Sequence, residues 1–247
     1  MNVERWGNGE RVYLGIHGWA GNHRTFRPIA ENAPEDISFF SVDLPGYGAS
    51  PPPPNWDLET IASGLSEIVH DLPGDATTLV GYCGGAALGL LVVQKLPGRV
   101  SRLIMIDPFA YLPWYFRIFT WGEFGRRAYM STFASERGRR ITNAALQTKR
   151  SGDTDLTRSF EIVNHDLTLD AMRAFAAFPS YQVFAPLRLE VDLVYGARSF
   201  KAVKRSVKMW QKLWPHAHVH ELHGAGHDPI REATEPLRAI VFGSNAC

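Results

Sequence analysis

The chain has 247 residues, 45% of them hydrophobic, a length that suits one α/β domain or one domain with an inserted lid. Its 26 Lys and Arg residues balance 25 Asp and Glu residues, and the resulting net charge of +1 argues against a nucleic-acid-binding protein. The two cysteines, Cys83 and Cys247, exclude a secreted disulfide scaffold and favour a reducing compartment.

The sequence shows no segment typical of a signal peptide or of a membrane span. Residues Met1 to Glu10 contain no apolar core. The longest weakly polar run, Leu79 to Val93, is too short to cross a bilayer. We therefore expect a cytoplasmic protein with no membrane span.

Short apolar runs alternate with longer segments of helical periodicity along most of the chain. Most runs are continuous rather than alternating, as expected of strands that are covered on both faces. The predicted strands are Val12–His17, Ile37–Val42, Thr77–Tyr82, Arg102–Asp107, Glu190–Tyr195 and Ala217–Leu222. The predicted helices are Thr25–Ala33, Asp57–Leu72, Gly84–Leu96, Lys201–Leu213 and Ile230–Phe242. This order predicts an α/β fold with a doubly wound, mostly parallel sheet.

Residues 109–186 interrupt the alternation, because they contain no good strand and are rich in aromatic side chains. A connection of this length is too long for a plain loop. We predict that it is an inserted helical lid and that residues 1–108 and 187–247 form the core. The aromatic side chains of the lid either line an apolar pocket or only pack the lid against the core.

The strongest candidate for a catalytic residue is Cys83, at the centre of Gly81-Tyr82-Cys83-Gly84-Gly85. This pentapeptide follows an apolar strand and precedes a helix, which is the setting of a nucleophile elbow. Gly81 and Gly85 leave room for the tight turn, and the dipole of the following helix favours an anion at its N-terminus. The alternative is an inert buried cysteine in a turn of small residues.

Two other turns offer the groups that such a nucleophile needs. The turn His17-Gly18-Trp19 follows the first strong strand, so the backbone amides of Trp19 and Gly84 are candidates for an oxyanion hole. His17 itself is interpreted as structural. The loop Gly224-Ala225-Gly226-His227 follows the last strand, and His227 is the candidate general base.

A histidine-rich stretch near the end of the chain is a candidate metal site. His218 and His220 alternate along a predicted strand, so their side chains could share one face as a metal pair would. No carboxylate cluster accompanies them in the sequence. We therefore expect no metal ion, and we expect no cofactor.

The motifs together resemble the α/β-hydrolase superfamily, from about residue 3 to the end of the chain. The matching segments, in family order, are His17-Gly18-Trp19, Asp43-Leu44-Pro45-Gly46-Tyr47-Gly48, the pentapeptide around Cys83, and Gly226-His227. The chain looks most like the lidded esterase and thioesterase branch, which includes pimeloyl carrier-protein methyl ester esterases. In that branch the nucleophile is usually Ser, and Cys83 occupies its place here, as a cysteine does in dienelactone hydrolases. The resemblance implies that Asp43 shapes a turn and is not catalytic.

The acid of the triad is where the sequence departs from the family's pattern. The acid usually follows the next-to-last core strand, three residues beyond a Gly, and Ser199 stands there in this chain. Some family members take their acid from the strand after the elbow helix, which makes Asp107 the best replacement. Asp192 lies too early in its strand, and Asp228 is expected to point away from the base. A Cys–His pair with a weaker orienting group is the alternative, since a thiol needs less help than a hydroxyl.

The resemblance implies covalent catalysis on an acyl ester or thioester, with Cys83, His227 and Asp107 as the catalytic residues. Water releases the acid if the protein is a hydrolase. An alcohol, an amine or a growing chain accepts the acyl group if the protein is an acyltransferase. A catalytically weak acyl-binding module on the same fold is the third alternative.

The expected partner is a small-molecule acyl substrate. Residues 110–150 carry a net charge of +6, and a second basic cluster follows at helical spacing: Lys201, Lys204, Arg205, Lys208 and Lys212. These clusters either attract an acyl carrier protein or the phosphates of a coenzyme A thioester, or they form solvated faces.

Overall fold

A seven-stranded β-sheet lies at the centre of the computed structural model, which describes residues 1–243 and so leaves Cys247 outside the described residues. Its strands are β1 (Val3–Trp6), β2 (Arg11–Ile16), β3 (Ile37–Val42), β4 (Thr77–Tyr82), β5 (Val100–Ile106), β6 (Glu190–Gly196) and β7 (His218–Leu222). Their order across the sheet is β1-β3-β2-β4-β5-β6-β7. β1 pairs antiparallel with β3, and the other neighbouring strands pair in parallel. The predicted α/β class with a mostly parallel sheet is confirmed.

All six predicted strands are present, each within two residues of its predicted bounds. β1, which has four residues and lies at the edge of the sheet, is not among the predicted strands. Its two central residues, Glu4 and Arg5, are exposed, so the strand lacks the continuous apolar run that marks the buried strands.

Successive side chains of each central strand point to opposite faces of the sheet. On β5, Leu103 and Met105 are buried in one apolar core, whereas Ile104 and Ile106 are buried in another. Both faces are therefore covered, as the continuous apolar runs predict.

The helices that cover the sheet come from both sides of the long insertion. The α-helices of residues 1–243 are α1 (Arg27–Ala30), α2 (Leu58–Asp71), α3 (Gly84–Lys95), α4 (Trp114–Arg117), α5 (Gly122–Tyr129), α6 (Glu136–Ala145), α7 (His165–Phe175), α8 (Lys201–Leu213), α9 (Pro229–Glu232) and α10 (Thr234–Phe242). α2, α3 and α8 pack on one face of the sheet, and α1, α9 and α10 pack on the other. Within this part of the chain, every helix falls short of the length or the apolar character needed to cross a membrane.

Two of the predicted helices are interrupted in the structure. The segment predicted as Thr25–Ala33 forms a 3-10 turn, His23–Phe26, followed by the single turn of α1. The segment predicted as Ile230–Phe242 is divided at Ala233, whose backbone angles are φ −143° and ψ 48°. The division has a local cause, because Pro236 has no N–H and its ring would clash with the carbonyl four residues before it.

Residues 109–186, the helical insertion, lie between β5 and β6 and contain α4 to α7 without any strand. Short 3-10 and π-helical turns connect these helices. The insertion has its own small apolar core, in which the rings of Phe133 and Phe160 lie 5.1 and 4.9 Å from the ring of Trp19. Because Trp19 belongs to the turn after β2, the insertion is packed against the edge of the sheet where the parallel strands end.

Candidate active site

Cys83 lies in the tight turn between β4 and α3. Its backbone angles are φ 53° and ψ −116°, and its φ is in the left-handed region that residues other than glycine rarely adopt. Its amide donates a 2.8 Å hydrogen bond to the carbonyl oxygen of Ile106, which ties the turn to β5. A Cβ on Gly81 or Gly85 would lie within 2.4 Å of a backbone atom of a neighbouring residue. The turn therefore has the geometry of the predicted elbow and requires both glycines.

The turn after β2 lies directly against this elbow. A Cβ on Gly18 would be 2.9 Å from the Cβ of Cys83, so glycine permits the close approach. Trp19 and Gly84, the residues predicted to supply the oxyanion hole, line the same small apolar cavity. Gly84 is the first residue of α3, and the amide at this position has no partner within a helix. The structure thus brings the two predicted residues together beside Cys83.

His17 holds the turn in place, and both of its ring nitrogens are hydrogen-bonded to the backbone. Its Nδ1 donates to the carbonyl oxygen of Gly18 at 2.7 Å, and its Nε2 accepts a 3.0 Å hydrogen bond from the amide of Leu44. Burial lowers the pKa of His17 to about 4, because the charged imidazolium would lose its hydration. The neutral ring connects the turn after β2 to the loop after β3, in agreement with the structural role predicted for it.

Asp107 and His227 form a hydrogen-bonded pair next to the elbow. Asp107 directly follows β5 and is fully buried, and its Oδ2 accepts a 2.7 Å hydrogen bond from Nδ1 of His227. Its Oδ1 accepts a 3.0 Å hydrogen bond from the amide of Gly196. His227 lies in the loop after β7, where its amide donates to the carbonyl of Lys149 and its own carbonyl accepts from the hydroxyl of Tyr82. The side chains predicted to be acid and base are therefore in contact, and both are fixed in place.

Ser199, which stands at the family's usual acid position, contacts both members of this pair. Its hydroxyl donates a hydrogen bond to Oδ2 of Asp107, and its Oγ lies 3.3 Å from Nδ1 of His227. Ser199 is buried, so Asp107 accepts hydrogen bonds from three donors within the protein interior. The sequence analysis noticed Ser199 only as a departure from the pattern. Its spacing of three residues beyond Gly196 is the signal that could have placed it beside the base.

The surroundings of His227 favour its protonated form. Burial alone lowers the pKa of His227, but the hydrogen bond to Asp107 and the nearby Cys83 outweigh this effect and raise it to about 10. The rings of Phe200 and Phe109 lie 4.7 and 5.9 Å from the imidazole, and the side chain is only 14% exposed. The imidazole is thus placed between the carboxylate and the thiol, with aromatic rings on its open sides.

Because of His227, we expect the free energy of unfolding to fall as the pH rises from about 6.5 to about 10. In this window the folded chain keeps on His227 a proton that an unfolded histidine has lost, and the slope is smaller wherever the unfolded chain still holds a proton on the thiol of Cys83. The stabilisation is fully present below the lower limit and is lost above the upper one, with a slope of at most about 1.4 kcal/mol per pH unit. Urea denaturation across this range measures the slope. His227→Gln should lack this contribution, and equal slopes in the two proteins would contradict it.

The other acidic candidates have partners of their own. The buried carboxylate of Asp43 accepts hydrogen bonds from the amides of His23 and Ala49 at 2.7 and 3.0 Å, so it shapes a turn as the resemblance implies. The carboxylate of Asp228 accepts a 2.7 Å hydrogen bond from Arg231 and does not contact His227. Neither residue takes part in the Asp107–His227 pair.

The histidine-rich strand lies beside a single carboxylate. A carboxylate does lie beside it, because Oδ1 of Asp192 is 2.7 Å from Nε2 of His220 and 3.9 Å from Nδ1 of His218. Asp192 comes from β6, and the sequence analysis missed the contact because the two strands are distant in sequence. The same carboxylate also pairs with Arg102 at 2.8 Å. Among residues 1–243, no group of three or more His, Cys, Asp or Glu side chains is arranged to hold a metal ion.

The sequence profile of the alpha/beta hydrolase family matches residues 14–240. The chain belongs to the α/β-hydrolase family. The family match begins in β2 and ends in α10, so it includes the turn after β2, the elbow, Asp107 and His227.

Curated relatives of this α/β-hydrolase match it over less than half of its length. Lipase LipV of Mycobacterium tuberculosis is 28% identical over 109 residues, which are 44% of this chain and 41% of LipV. A pimeloyl-[acyl-carrier protein] methyl ester esterase of Neisseria meningitidis serogroup A is 31% identical over 103 residues, which are 42% of this chain and 31% of that protein. The matched region thus spans well under two thirds of either relative.

Solved structures of other α/β-hydrolases match the full architecture. An esterase from Exiguobacterium antarcticum superposes with a TM-score of 0.80 at 16% identity, covering 96% of this chain and 92% of that one. A thermophilic esterase from Thermogutta terrifontis superposes with a TM-score of 0.78 at 17% identity, covering 97% and 90%. At these identities the similarity concerns the fold, and it confirms the α/β-hydrolase fold of this chain.

Proposed function

We propose that this α/β-hydrolase cleaves acyl esters or thioesters through a covalent intermediate on Cys83. The observation that carries the proposal is the hydrogen bond between Asp107 and His227 beside the strained elbow. A carboxylate on Nδ1 fixes the tautomer of the imidazole and leaves Nε2 to exchange a proton with the nucleophile and the leaving group. LipV and the pimeloyl-[acyl-carrier protein] methyl ester esterase are named for reactions on esters, which supports the same substrate class here.

In the acylation step, Sγ of Cys83 attacks the carbonyl carbon as a thiolate, and the proton of the thiol is on His227. The amides of Trp19 and Gly84 donate hydrogen bonds to the oxyanion, and the loss of one such donor costs about 3–4 kcal/mol. The bond between the carbonyl carbon and the leaving oxygen or sulfur then breaks. The leaving group departs as an alcohol or thiol after it receives the proton.

In the deacylation step, the neutral imidazole of His227 takes a proton from water while the oxygen attacks the thioester carbonyl. The bond to Sγ breaks, the carboxylic acid leaves, and the thiolate and the protonated imidazole are restored. The second candidate is an acyltransferase, in which an alcohol or amine replaces water in this step. One observation favours the acyltransferase. The rings of Phe109 and Phe200 pack beside His227 and occupy space that water would otherwise fill.

We further propose that the helical insertion, residues 109–186, is a lid on a core formed by residues 1–108 and 187–247. Its last long helix, α7, ends at Phe175, whose ring lies 3.2 Å from the position that a Cβ on Gly84 would occupy. The insertion thus covers the N-terminus of the elbow helix. Because the mechanism needs a free thiol at Cys83, the protein would work in a reducing compartment such as the cytoplasm.

The test is a product analysis with neutral p-nitrophenyl esters and acyl thioesters of several chain lengths. We expect catalytic release of the acid and of the alcohol or thiol in equal amounts. The same reactions are repeated with an added primary alcohol or amine, and transfer of most of the acyl group to it would support the acyltransferase. Absence of product with every substrate would overturn the proposal and favour the acyl-binding module.

A further inference from the structure

A second cavity opens beside the active site, between the helical insertion and α8. Its volume of about 450 Å³ is in the range of small-molecule sites. We call this cavity the distal groove and define it by six of its lining residues: Tyr111, Arg117, Phe178, Tyr181, Arg205 and Met209. The lining is mainly aromatic and aliphatic, it includes two arginines, and it contains no Asp or Glu.

The distal groove is adjacent to the elbow through one aromatic side chain. Phe175 lines the groove and also lines the small apolar cavity that Trp19 and Gly84 share. Tyr115 lies near both Tyr111 and Cys83, and its pKa is raised to about 12, first by burial and then by these two neighbours. Phe175 therefore separates the groove from the cavity beside the elbow.

The two arginines of the distal groove are available to bind an anion. Arg117 and Arg205 are exposed, and neither forms a salt bridge within the described part of the chain, whereas Arg126 and Arg127 of the same basic region pair with acidic residues. The guanidinium carbon of Arg205 lies 5.8 Å from the centre of the Tyr111 ring, a cation–π contact that orients it along the groove wall. A guanidinium binds a carboxylate through two parallel hydrogen bonds.

We propose that the distal groove binds the far end of an acyl group that carries a terminal carboxylate. Its apolar walls would contact the methylene chain, and Arg117 and Arg205 would bind the anion. The preferred substrate would then be a monoester or monothioester of a dicarboxylic acid, with the ester carbonyl at Cys83 and the free carboxylate in the groove. This inference rests on the proposed function, because it assigns the substrate class of the same site.

The experiment compares pairs of p-nitrophenyl esters that have the same chain length and end either in a methyl group or in a carboxylate. For the folded wild-type protein we expect kcat/KM to be about ten-fold higher for the carboxylate ester, and high salt should reduce this ratio. Arg205→Gln and Arg117→Gln should each lower the ratio about three- to ten-fold. Lys208→Gln is the matched control, because this exposed lysine is on α8 and does not line the groove. It should leave the ratio unchanged.

Calorimetry separates failure of this inference from failure of the proposed function. Cys83→Ala is titrated with a dicarboxylic acid monomethyl ester, which needs no catalysis to bind, and Arg205→Gln in that background should weaken the binding. If no ester is hydrolysed but this effect appears, the groove assignment stands and the proposed function fails. If esters are hydrolysed with a ratio near one in the wild type, or if Arg205→Gln and Lys208→Gln change the ratio equally, the groove assignment is overturned.

Discussion

Cys83→Ala is expected to abolish the acyl adduct and to lower kcat/KM by about four to six orders of magnitude, because the substitution removes the one atom that bonds to the acyl carbon. Alanine keeps the Cβ at the elbow, so the turn and the surrounding packing should be preserved. Intact-protein mass spectrometry after mixing with an activated ester should show one acyl group on the wild type and none on the variant. Peptide mapping should place that group on Cys83.

Cys247→Ser is the control for this experiment, since it removes the other cysteine of the chain. It should form the adduct as the wild type does. An adduct that persists in Cys83→Ala and disappears in Cys247→Ser would refute the assignment of the nucleophile. Undiminished ester hydrolysis by Cys83→Ala would refute covalent catalysis at the elbow, provided that its denaturation midpoint equals that of the wild type.

Asp107→Asn is expected to lower kcat by about 100- to 10,000-fold with a smaller change in KM. The amide keeps the shape of the carboxylate, but it removes the negative charge that stabilises the imidazolium and orients its tautomer. The matched control is Asp228→Asn, whose carboxylate is next to His227 in sequence yet pairs with Arg231, and it should change kcat much less. The pKa of His227 should fall in Asp107→Asn, and NMR titration of the imidazole measures it.

The double variant Asp107→Ser/Ser199→Asp exchanges the two residues. It tests whether a carboxylate at position 199 can take over the role of the one at position 107. Ser199 already donates to Asp107 and lies 3.3 Å from Nδ1 of His227, so a carboxylate at position 199 should reach the base. We expect the exchange to recover at least ten-fold of the activity that Asp107→Ser alone loses. Equal activity of the single and double variants would show that a carboxylate at position 199 cannot replace the one at position 107.

The order and type of the main elements could be predicted because the buried strands are continuous apolar runs. Their side chains enter two cores, one on each face, so most positions are apolar. β1 has no such constraint, since one of its sides is open and Glu4 and Arg5 are exposed. The interruption at Ala233 depends on a single proline within an otherwise helical pattern. A prediction from apolar periodicity alone therefore gives one continuous helix there.

The members of the candidate site could be predicted, but not the contacts among them. Cys83 and His227 stand in local motifs, and each motif can be recognised without its partner. Asp107 accepts from Gly196, Ser199 and His227, which lie 89, 92 and 120 residues further along the chain. Such contacts depend on strand order and register, and a single sequence carries no direct record of either.

Two residues of the site occupy backbone conformations that favour glycine, Cys83 with φ 53° and Asp107 with φ 46°. Each such residue costs about 1–3 kcal/mol, and the net stability of a domain is only about 5–15 kcal/mol. Glycine at either position would relieve the strain and remove a reacting or orienting group. Under the proposed function, the two turns that supply the nucleophile and the acid therefore also lower the stability of the fold.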